Sequence, residues 1–159
     1  MHRGAAWPRA WQALVLLLVL PAAACERQSS DPVVRALDAV EAAAEERDAQ
    51  AVLKMLAPDF KGPGNLNRTA VASQLRRYFL AYEGLDVERA DLEVEHGDAA
   101  ARARFRVVFS GRPRQIGSLA DVLPSSAVYR FDVGLRPDSE QDVWLISDAT
   151  WEHLEPTQP

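Results

Sequence analysis

The spacing of apolar residues changes once along the chain, near Leu85. Before that point apolar residues recur at intervals of three and four, which is the period of an α-helix that buries one face. After it they alternate with polar residues, which is the period of a strand with one buried face. The pattern predicts the α+β class, with three N-terminal helices packed on one face of an antiparallel sheet of four or more strands.

The first predicted helix begins at Pro32. Asp31 is a good N-cap because its side chain can accept a hydrogen bond from a free amide of the first turn, and proline suits the first helical position. One face of the helix is apolar and contains Val33, Leu37, Val40 and Ala44. The opposite face is charged and contains Arg35, Asp38, Glu41, Glu45 and Arg47. The helix is therefore amphipathic and is expected to cover another layer.

Two further helices are predicted before the change of period. A short one lies in the segment RDAQAVLKMLAPDF, where Pro58 ends the apolar pattern. The other runs from about Thr69 to Glu83, with Asn67 or Thr69 as its cap and Gly84 as the residue that follows its end. Its apolar stripe consists of Val71, Leu75, Tyr78, Phe79 and Tyr82.

The alternating part of the chain predicts four strands. Two of them, DLEVEH and AAARARFRVVFSG, form a hairpin with a turn at Gly97 and Asp98. The other two are AVYRFDVGLR and DVWLISDATWEHL, and the turn PDSEQ connects them. Between the two pairs, the segment RPRQIGSLADVLPSSA has no clear period, so a long loop is expected there.

The order of these elements resembles the nuclear transport factor 2-like superfamily, also called SnoaL-like. The resemblance is carried by the segments RDAQAVLKMLAPDF and NRTAVASQLRRYF and by the closing strand DVWLISDATW, and it covers nearly all of residues 32–154. It implies a cone, in which a strongly curved sheet wraps around the helices, often with an apolar pocket open at one end. It does not select a function, because the superfamily includes a steroid isomerase, dehydratases, epoxide hydrolases and proteins that only bind or dimerise.

The N-terminal segment has the features of a secretory signal peptide. Arg3 and Arg9 flank its start, and the apolar run ALVLLLVL ends at Pro21. The residues Ala22–Ala24 followed by Cys25 resemble a bacterial lipobox, although the leucine usually found three residues before the cysteine is absent. The resemblance implies cleavage before Cys25 and a lipid on its thiol. The alternative is an ordinary cleavage site that leaves Cys25 as a free thiol.

These features predict the domain organisation and the location of the protein. Residues 1–24 form the signal peptide, 25–31 the lipidated N-terminus and tether, 32–154 the domain and 155–159 a tail. Glu26 occupies the position where, by resemblance to lipoproteins of many Gram-negative bacteria, an aspartate would favour the inner membrane. The expected location is the cell envelope, with the lipid-anchored protein on the periplasmic face of the outer membrane.

Net charge and cysteine content limit the classes of partner and the covalent bonds expected for this protein. The chain has 18 basic and 23 acidic side chains, and removal of Arg3 and Arg9 with the signal peptide gives a net charge of −7. Nucleic acid is therefore not expected as a partner, because phosphate binding draws on clustered basic charge. Membrane attachment is expected to come from the lipid rather than from charge. With Cys25 as the sole cysteine, no internal disulfide can form.

The sequence contains no metal or nucleophile motif. His96 and His153, the histidines of the mature chain, do not have the spacing of a metal site, and no G-x-S-x-G segment occurs. No cofactor and no metal are therefore expected. For proton transfer, a carboxylate and a hydrogen-bond donor must share a dry pocket. Asp132 and Asp148 are candidate bases; the first lies on a polar face, and the second is undecided because the alternation breaks at SDAT.

Aromatic residues are the candidates for a ligand site. The predicted ligand-binding residues are Tyr78, Tyr82, Tyr129 and Trp151, and Trp144 is expected near the same core. Each could equally be a core residue, since an aromatic stripe at helical spacing is commonly core. Aromatic content therefore does not distinguish a binding module from an enzyme.

Five arginines share the polar face of the strands: Arg102, Arg104, Arg106, Arg130 and Arg136. They could meet an acidic partner or a second copy of the chain. The simpler interpretation is pairing with Asp132, Glu93 and Glu95 across the strands, which contributes well under about 1 kcal/mol a pair. The sequence does not decide whether the protein forms a homodimer.

The favoured prediction is an envelope lipoprotein whose cone is a non-catalytic module that binds a small molecule or a protein. The alternative is an isomerase or dehydratase that acts on a small apolar substrate in the cone pocket. A buried acid with a shifted pKa among the aromatic rings would favour the alternative, because proton transfer needs such a group.

Overall fold

Three α-helices and five strands form the part of the chain that the computed structural model describes, residues 29–114 and 123–155. The helices are α1 (Pro32–Glu45), α2 (Ala49–Lys54) and α3 (Arg68–Ala81). The strands are β1 (Leu56–Lys61), β2 (Tyr82–His96), β3 (Ala101–Pro113), β4 (Ser126–Asp138) and β5 (Val143–Leu154). A 3-10 turn, Pro63–Asn65, connects β1 to α3. Within these ranges no helix combines the length and the hydropathy needed to cross a membrane.

Side-chain caps determine where the two long helices begin. Asp31 Oδ1 accepts a hydrogen bond from the amide of Val33 at 2.8 Å, and Pro32 follows it in the first turn. Asn67 Oδ1 accepts one from the amide of Ala70 at 2.9 Å. Such caps satisfy amides that have no partner inside the helix. The predicted start of the first helix is confirmed, and Asn67 rather than Thr69 caps the third.

The third helix ends earlier than its sequence pattern predicts. It stops at Ala81, and the chain enters β2 directly at Tyr82, which is 1% exposed. The prediction that Gly84 follows the helix end is therefore wrong, because Gly84 lies inside the strand. Tyr82 pairs with Pro113 of β3, and this strand pairing, which helical periodicity does not reveal, begins where the helix ends.

The second strand is also longer than the predicted segment DLEVEH. It has 15 residues and is interrupted by a bulge between Ala90 and Glu93, where Asp91 has a φ of 54°. A bulge inserts an extra residue and shifts the alternation of the two faces. The pattern before the bulge is therefore out of phase with the pattern after it, and the sequence period indicates only the later part of the strand.

The first strand was not predicted from the sequence. The second helix ends at Lys54, and Pro58 lies within β1 rather than ending a helix. The strand lies at the edge of the sheet, which is where proline is tolerated. It pairs in parallel with β5, next to the hydrogen bond from the Ile146 amide to the Met55 carbonyl, 2.9 Å. Its buried residues do not alternate, so the period of 2 is missing.

The strands form one curved mixed sheet in the order β1-β5-β4-β3-β2. All neighbours from β2 to β5 are antiparallel, which confirms the predicted antiparallel sheet and the α+β class. The helices cover its concave face. The core between them includes Val33 and Leu37 of α1, Ala103 of β3 and Leu135 of β4, of which Val33, Ala103 and Leu135 are 0% exposed.

Candidate functional site

A cavity of about 400 Å³ lies between the helices and the concave face of the sheet. All three helices and all five strands contribute to its walls. The walls contain eight aromatic side chains: Phe60, Tyr78, Phe79, Phe105, Phe109, Tyr129, Phe131 and Trp151. A cavity of this size with mainly apolar walls is typical of a site for a small organic molecule.

The aromatic rings on the sheet contact one another in rows across the strands. Phe105 pairs with Phe131, and Phe131 with Trp151, in the register of β3, β4 and β5. Their ring centroids are 5.6 and 5.9 Å apart, and those of Phe109 and Tyr129 are 5.8 Å apart. Contacts of this kind add about 0.5–1.5 kcal/mol each beyond the burial of the rings. The floor of the cavity is therefore built from mutually packed rings.

The structure separates the four aromatic residues predicted as ligand-binding. Tyr78, Tyr129 and Trp151 line the cavity. Tyr82 does not line it, because its ring packs beside that of Tyr78, with the centroids 4.9 Å apart, and its hydroxyl donates to the Pro124 carbonyl at 2.8 Å. In this structure Tyr82 is a core residue that supports Tyr78.

Trp144 lies near the core but outside the cavity wall, with its ring edge-on to His96 at a centroid distance of 6.4 Å. His96 Nε2 is also 2.9 Å from Asp31 Oδ2, so it connects the end of β2 to the start of α1. Within the described ranges, no group of three or more His, Cys, Asp or Glu side chains is placed to hold a metal.

One ion pair lies in the mainly apolar wall, between Glu41 of α1 and Arg89 of β2. The Arg89 side chain is 14% exposed, and its Nη1 atom is 3.5 Å from Glu41 Oε2. Its Nη2 atom makes a closer contact with the carboxylate of Asp38. Gln74, Tyr78 and Tyr129 are the other residues of the described wall whose side chains carry a polar group.

The environment of this wall shifts the pKa of two groups. Burial raises the pKa of the Glu41 carboxyl above its ordinary value; the charge of Arg89 opposes the rise, and three neighbouring carboxylates, of Glu45, Asp38 and Asp86, add to it. Burial, together with the neighbouring hydroxyl of Tyr82, also raises the pKa of Tyr78. Tyr78 therefore keeps its proton at neutral pH, and its hydroxyl lies beside that of Tyr82.

The sequence pattern assigned Glu41 to the charged face of the first helix, and that assignment is wrong. Glu41 lies four residues after Leu37 and three before Ala44, and all three residues line the cavity. At 3.6 residues per turn such spacings share one side of a helix, so the angular position of Glu41 was the available signal. Arg89 lies two residues after Val87, so both side chains point to the same face of β2 and both line the cavity. The bulge after Ala90 shifts the alternation, so this face is not evident from the sequence.

Asp132, the first of the two predicted bases, faces away from the cavity. Its Oδ1 atom accepts a hydrogen bond from Arg102 Nε at 2.6 Å, and its Oδ2 atom lies 3.4 Å from Arg104 Nε. The outer face of the sheet therefore holds Asp132 as a paired carboxylate, as its position in the alternation indicates.

Asp148, the second predicted base, also faces outward. In the register with β4, Gly134 pairs with Asp148 and Leu135 with Ile146, so Ser147 is an extra residue that forms a bulge. The bulge explains why the alternation breaks at SDAT. The Asp148 carboxylate accepts a hydrogen bond from Arg102 Nη1 at 3.0 Å, on the face opposite the cavity.

Each of the five arginines on the outer face forms an ion pair within the chain. The pairs are Arg102 with Asp132, Arg104 with Glu95, Arg106 with Asp91, Arg130 with Glu152 and Arg136 with Asp59. Glu93, which was expected to take part, forms no ion pair with the described residues. The paired side chains are widely exposed, so water and salt screen these pairs and they contribute little to stability. Self-association through this face stays a prediction.

The elements and the site together define a class: an α+β cone with an apolar internal cavity. No family model and no curated protein matches this sequence. Solved structures do match. A candidate scytalone dehydratase from Novosphingobium aromaticivorans has a TM-score of 0.66 at 10% identity, over 78% of this chain and 83% of that one.

Two further solved structures are similar. A nuclear transport factor 2-like superfamily protein from Salmonella enterica serovar Typhimurium has a TM-score of 0.62 at 14% identity, over 79% of this chain and 91% of that one. A ketosteroid isomerase-like protein from Erwinia carotovora atroseptica has a TM-score of 0.57 at 17% identity, over 78% and 95%. The chain therefore has the nuclear transport factor 2-like fold, which confirms the fold that the sequence resemblance implied.

Proposed function

We propose that this protein binds a small, mainly apolar molecule inside its cone, and that it does so as a lipid-anchored protein of the bacterial envelope. The observation that carries the first part is the cavity itself. It has about 400 Å³ of space, walls of packed aromatic rings and one ion pair, between Glu41 and Arg89. Apolar walls supply affinity by desolvation, and a small number of polar groups orient the bound molecule.

Binding without chemistry is the first candidate because the carboxylates of β4 and β5 are turned away from the cavity. Asp132 and Asp148 both pair with Arg102 on the outer face. A base must lie within hydrogen-bond reach of the proton that it removes. Neither aspartate meets that condition for a molecule held between the helices and the sheet.

Proton transfer to or from a small apolar substrate, as in an isomerase or dehydratase, is the second candidate. Glu41 favours it, because this carboxyl lies in the cavity wall and burial raises its pKa, as is typical of a general base or acid. Two of the similar structures are named for such enzymes, a candidate scytalone dehydratase and a ketosteroid isomerase-like protein.

The envelope location rests on the sequence around Cys25, which lies outside the described residues. A lipid on Cys25 would leave residues 26–31 as the tether before α1 begins at Pro32. Six extended residues span at most about 20 Å. The proposal therefore places the cone close to the membrane surface.

Binding is tested with N-phenyl-1-naphthylamine, a neutral apolar dye that fluoresces more strongly once it leaves water. We expect the protein to bind the dye saturably at one site. Leu75→Trp puts a larger side chain into the cavity wall, so it is expected to weaken binding by about tenfold or more. Fluorescence titration measures both affinities, and circular dichroism checks that the variant is folded.

The matched control for this experiment is Leu80→Trp. It makes the same substitution on the same helix, but the Leu80 side chain is 69% exposed and does not line the cavity. The control is expected to bind the dye as the unchanged protein does. Equal weakening in both variants, or unsaturable fluorescence in the unchanged protein, would contradict the proposal.

The second candidate is tested with 5-nitrobenzisoxazole, whose ring opens when a base removes its C–H proton and the N–O bond breaks. Under that candidate the protein accelerates ring opening, and Glu41→Gln abolishes the acceleration because an amide cannot accept the proton. Absorbance of the nitrophenolate product measures the rate. Asp148→Asn, on the outer face, is the control and should change nothing; no acceleration by the unchanged protein rejects the role of Glu41 as a base.

A further inference from the structure

The part of the cavity wall around Glu41 and Arg89, here called the polar corner, carries more negative than positive charge. Glu41 lines the cavity, and the carboxylates of Asp38, Glu45 and Asp86 lie near enough to act on its ionisation. Arg89 is the one cationic side chain among the described residues of the wall. An anionic group placed at this corner would therefore meet an excess of like charge.

Glu41 is the carboxylate of this corner that lies in the cavity wall, and its contact with a cation is long. Arg89 makes its close contact with Asp38 and approaches Glu41 only to 3.5 Å. The carboxylate of Glu45 accepts a hydrogen bond from the Val87 amide at 3.1 Å. Charged groups in an apolar wall are costly unless they are well paired. A donor on a bound molecule would therefore improve the pairing of Glu41, whose contact with Arg89 is long.

The aromatic walls favour the same kind of group. Tyr78, Phe109, Tyr129 and Trp151 all line the cavity, and each keeps part of its surface exposed. The faces of such rings attract a cation through their quadrupole, and the attraction grows as water is removed. An ammonium group between these rings and Glu41 would gain from both interactions.

We propose that the molecule bound in the cone is an organic monocation with an apolar body, such as an arylalkyl amine, whose ammonium group pairs with Glu41. This inference rests on the proposed binding function and names the chemical class of its ligand. A neutral ligand would fill the apolar space but leave Glu41 with only its long contact to Arg89. An anionic ligand would be repelled by the carboxylates at the same corner.

The test uses three naphthalene probes that share one apolar body and differ in charge: 1-naphthylmethylamine, 1-naphthalenemethanol and 1-naphthoic acid. Near pH 7 they are a cation, a neutral molecule and an anion. Isothermal titration calorimetry is expected to show the amine binding about tenfold or more tightly than the alcohol, and the acid more weakly than the alcohol. Equal affinity of the amine and the alcohol would overturn the inference.

Variants separate this inference from the proposed function. Glu41→Gln is expected to remove the preference for the amine and to leave the affinity for the alcohol within about twofold. Glu152→Gln, at an exposed acid paired with Arg130 on the outer face, is the control and should keep the preference. An equal loss for all three probes in Glu41→Gln would overturn the pairing with Glu41. If none of the probes binds the unchanged protein, the binding function fails as well.

Discussion

Leu135→Ala is expected to lower the free energy of unfolding by about 2–5 kcal/mol. Leu135 lies on β4 and is 0% exposed, in the core between the sheet and α1. The substitution removes buried methyl groups and leaves a void that the surrounding side chains fill only in part. Urea unfolding followed by circular dichroism measures the loss as a lower midpoint with an unchanged slope.

Leu80→Ala is the matched control for this prediction. Leu80 is 69% exposed on α3, so its truncation removes little buried surface and should change the stability by less than about 0.5 kcal/mol. Equal midpoints for the two variants would mean that Leu135 is not in the core. The register of β4 against β3 and β5 would then be wrong.

Cys25→Ser is expected to abolish incorporation of lipid into the protein. The predicted modification attaches diacylglycerol to a thiol, and a serine at this position offers no thiol. Bacteria that express either form are grown with an alkyne-labelled fatty acid, and the label on the purified protein is compared. The unchanged protein should also be recovered with membranes, because two or more acyl chains hold a protein there stably.

Gln28→Ser is a suitable control, since it changes the tether near Cys25 without removing the thiol. It should be labelled as strongly as the unchanged protein. Equal label in the protein with and without Cys25 would reject lipidation at this residue. Absence of label from both would favour the other interpretation, in which an ordinary cleavage site leaves Cys25 as a free thiol.

Local features of the sequence determined most of the secondary structure. The caps Asp31 and Asn67 act on amides within three residues, and their effect is visible from the sequence alone. The alternation of β3 gives Ala101, Ala103 and Val107 one buried face, because successive side chains of a strand point to opposite sides. The class and the four antiparallel strands follow from such short-range periods.

The bulges mark the limit of this reasoning. In β2 the bulge after Ala90 concealed half of the strand, and in β5 the bulge at Ser147 left the direction of Asp148 undecided. A bulge is defined by which residues face each other on neighbouring strands. That pairing depends on residues far away along the chain, so the period of one strand does not contain it.

The candidate site shows the same division. The resemblance implied a pocket, and the aromatic candidates for it were Tyr78, Tyr129 and Trp151, which line the cavity, and Tyr82, whose hydroxyl binds the Pro124 carbonyl instead. These residues have similar sequence patterns. Only the packing of one element on another determines which ring faces the empty space.

The sequence by itself determined the helices, the antiparallel strands and the cone that their order resembles. The tertiary structure decided the parallel pairing of β1 with β5 and the position of the charged pair Glu41–Arg89 in the cavity wall. Glu41 and Arg89 come from α1 and β2, and neither has a charged partner in the wall until those elements pack together. Burial and pairing depend on contacts between distant parts of the chain, whereas caps and periods depend on near neighbours.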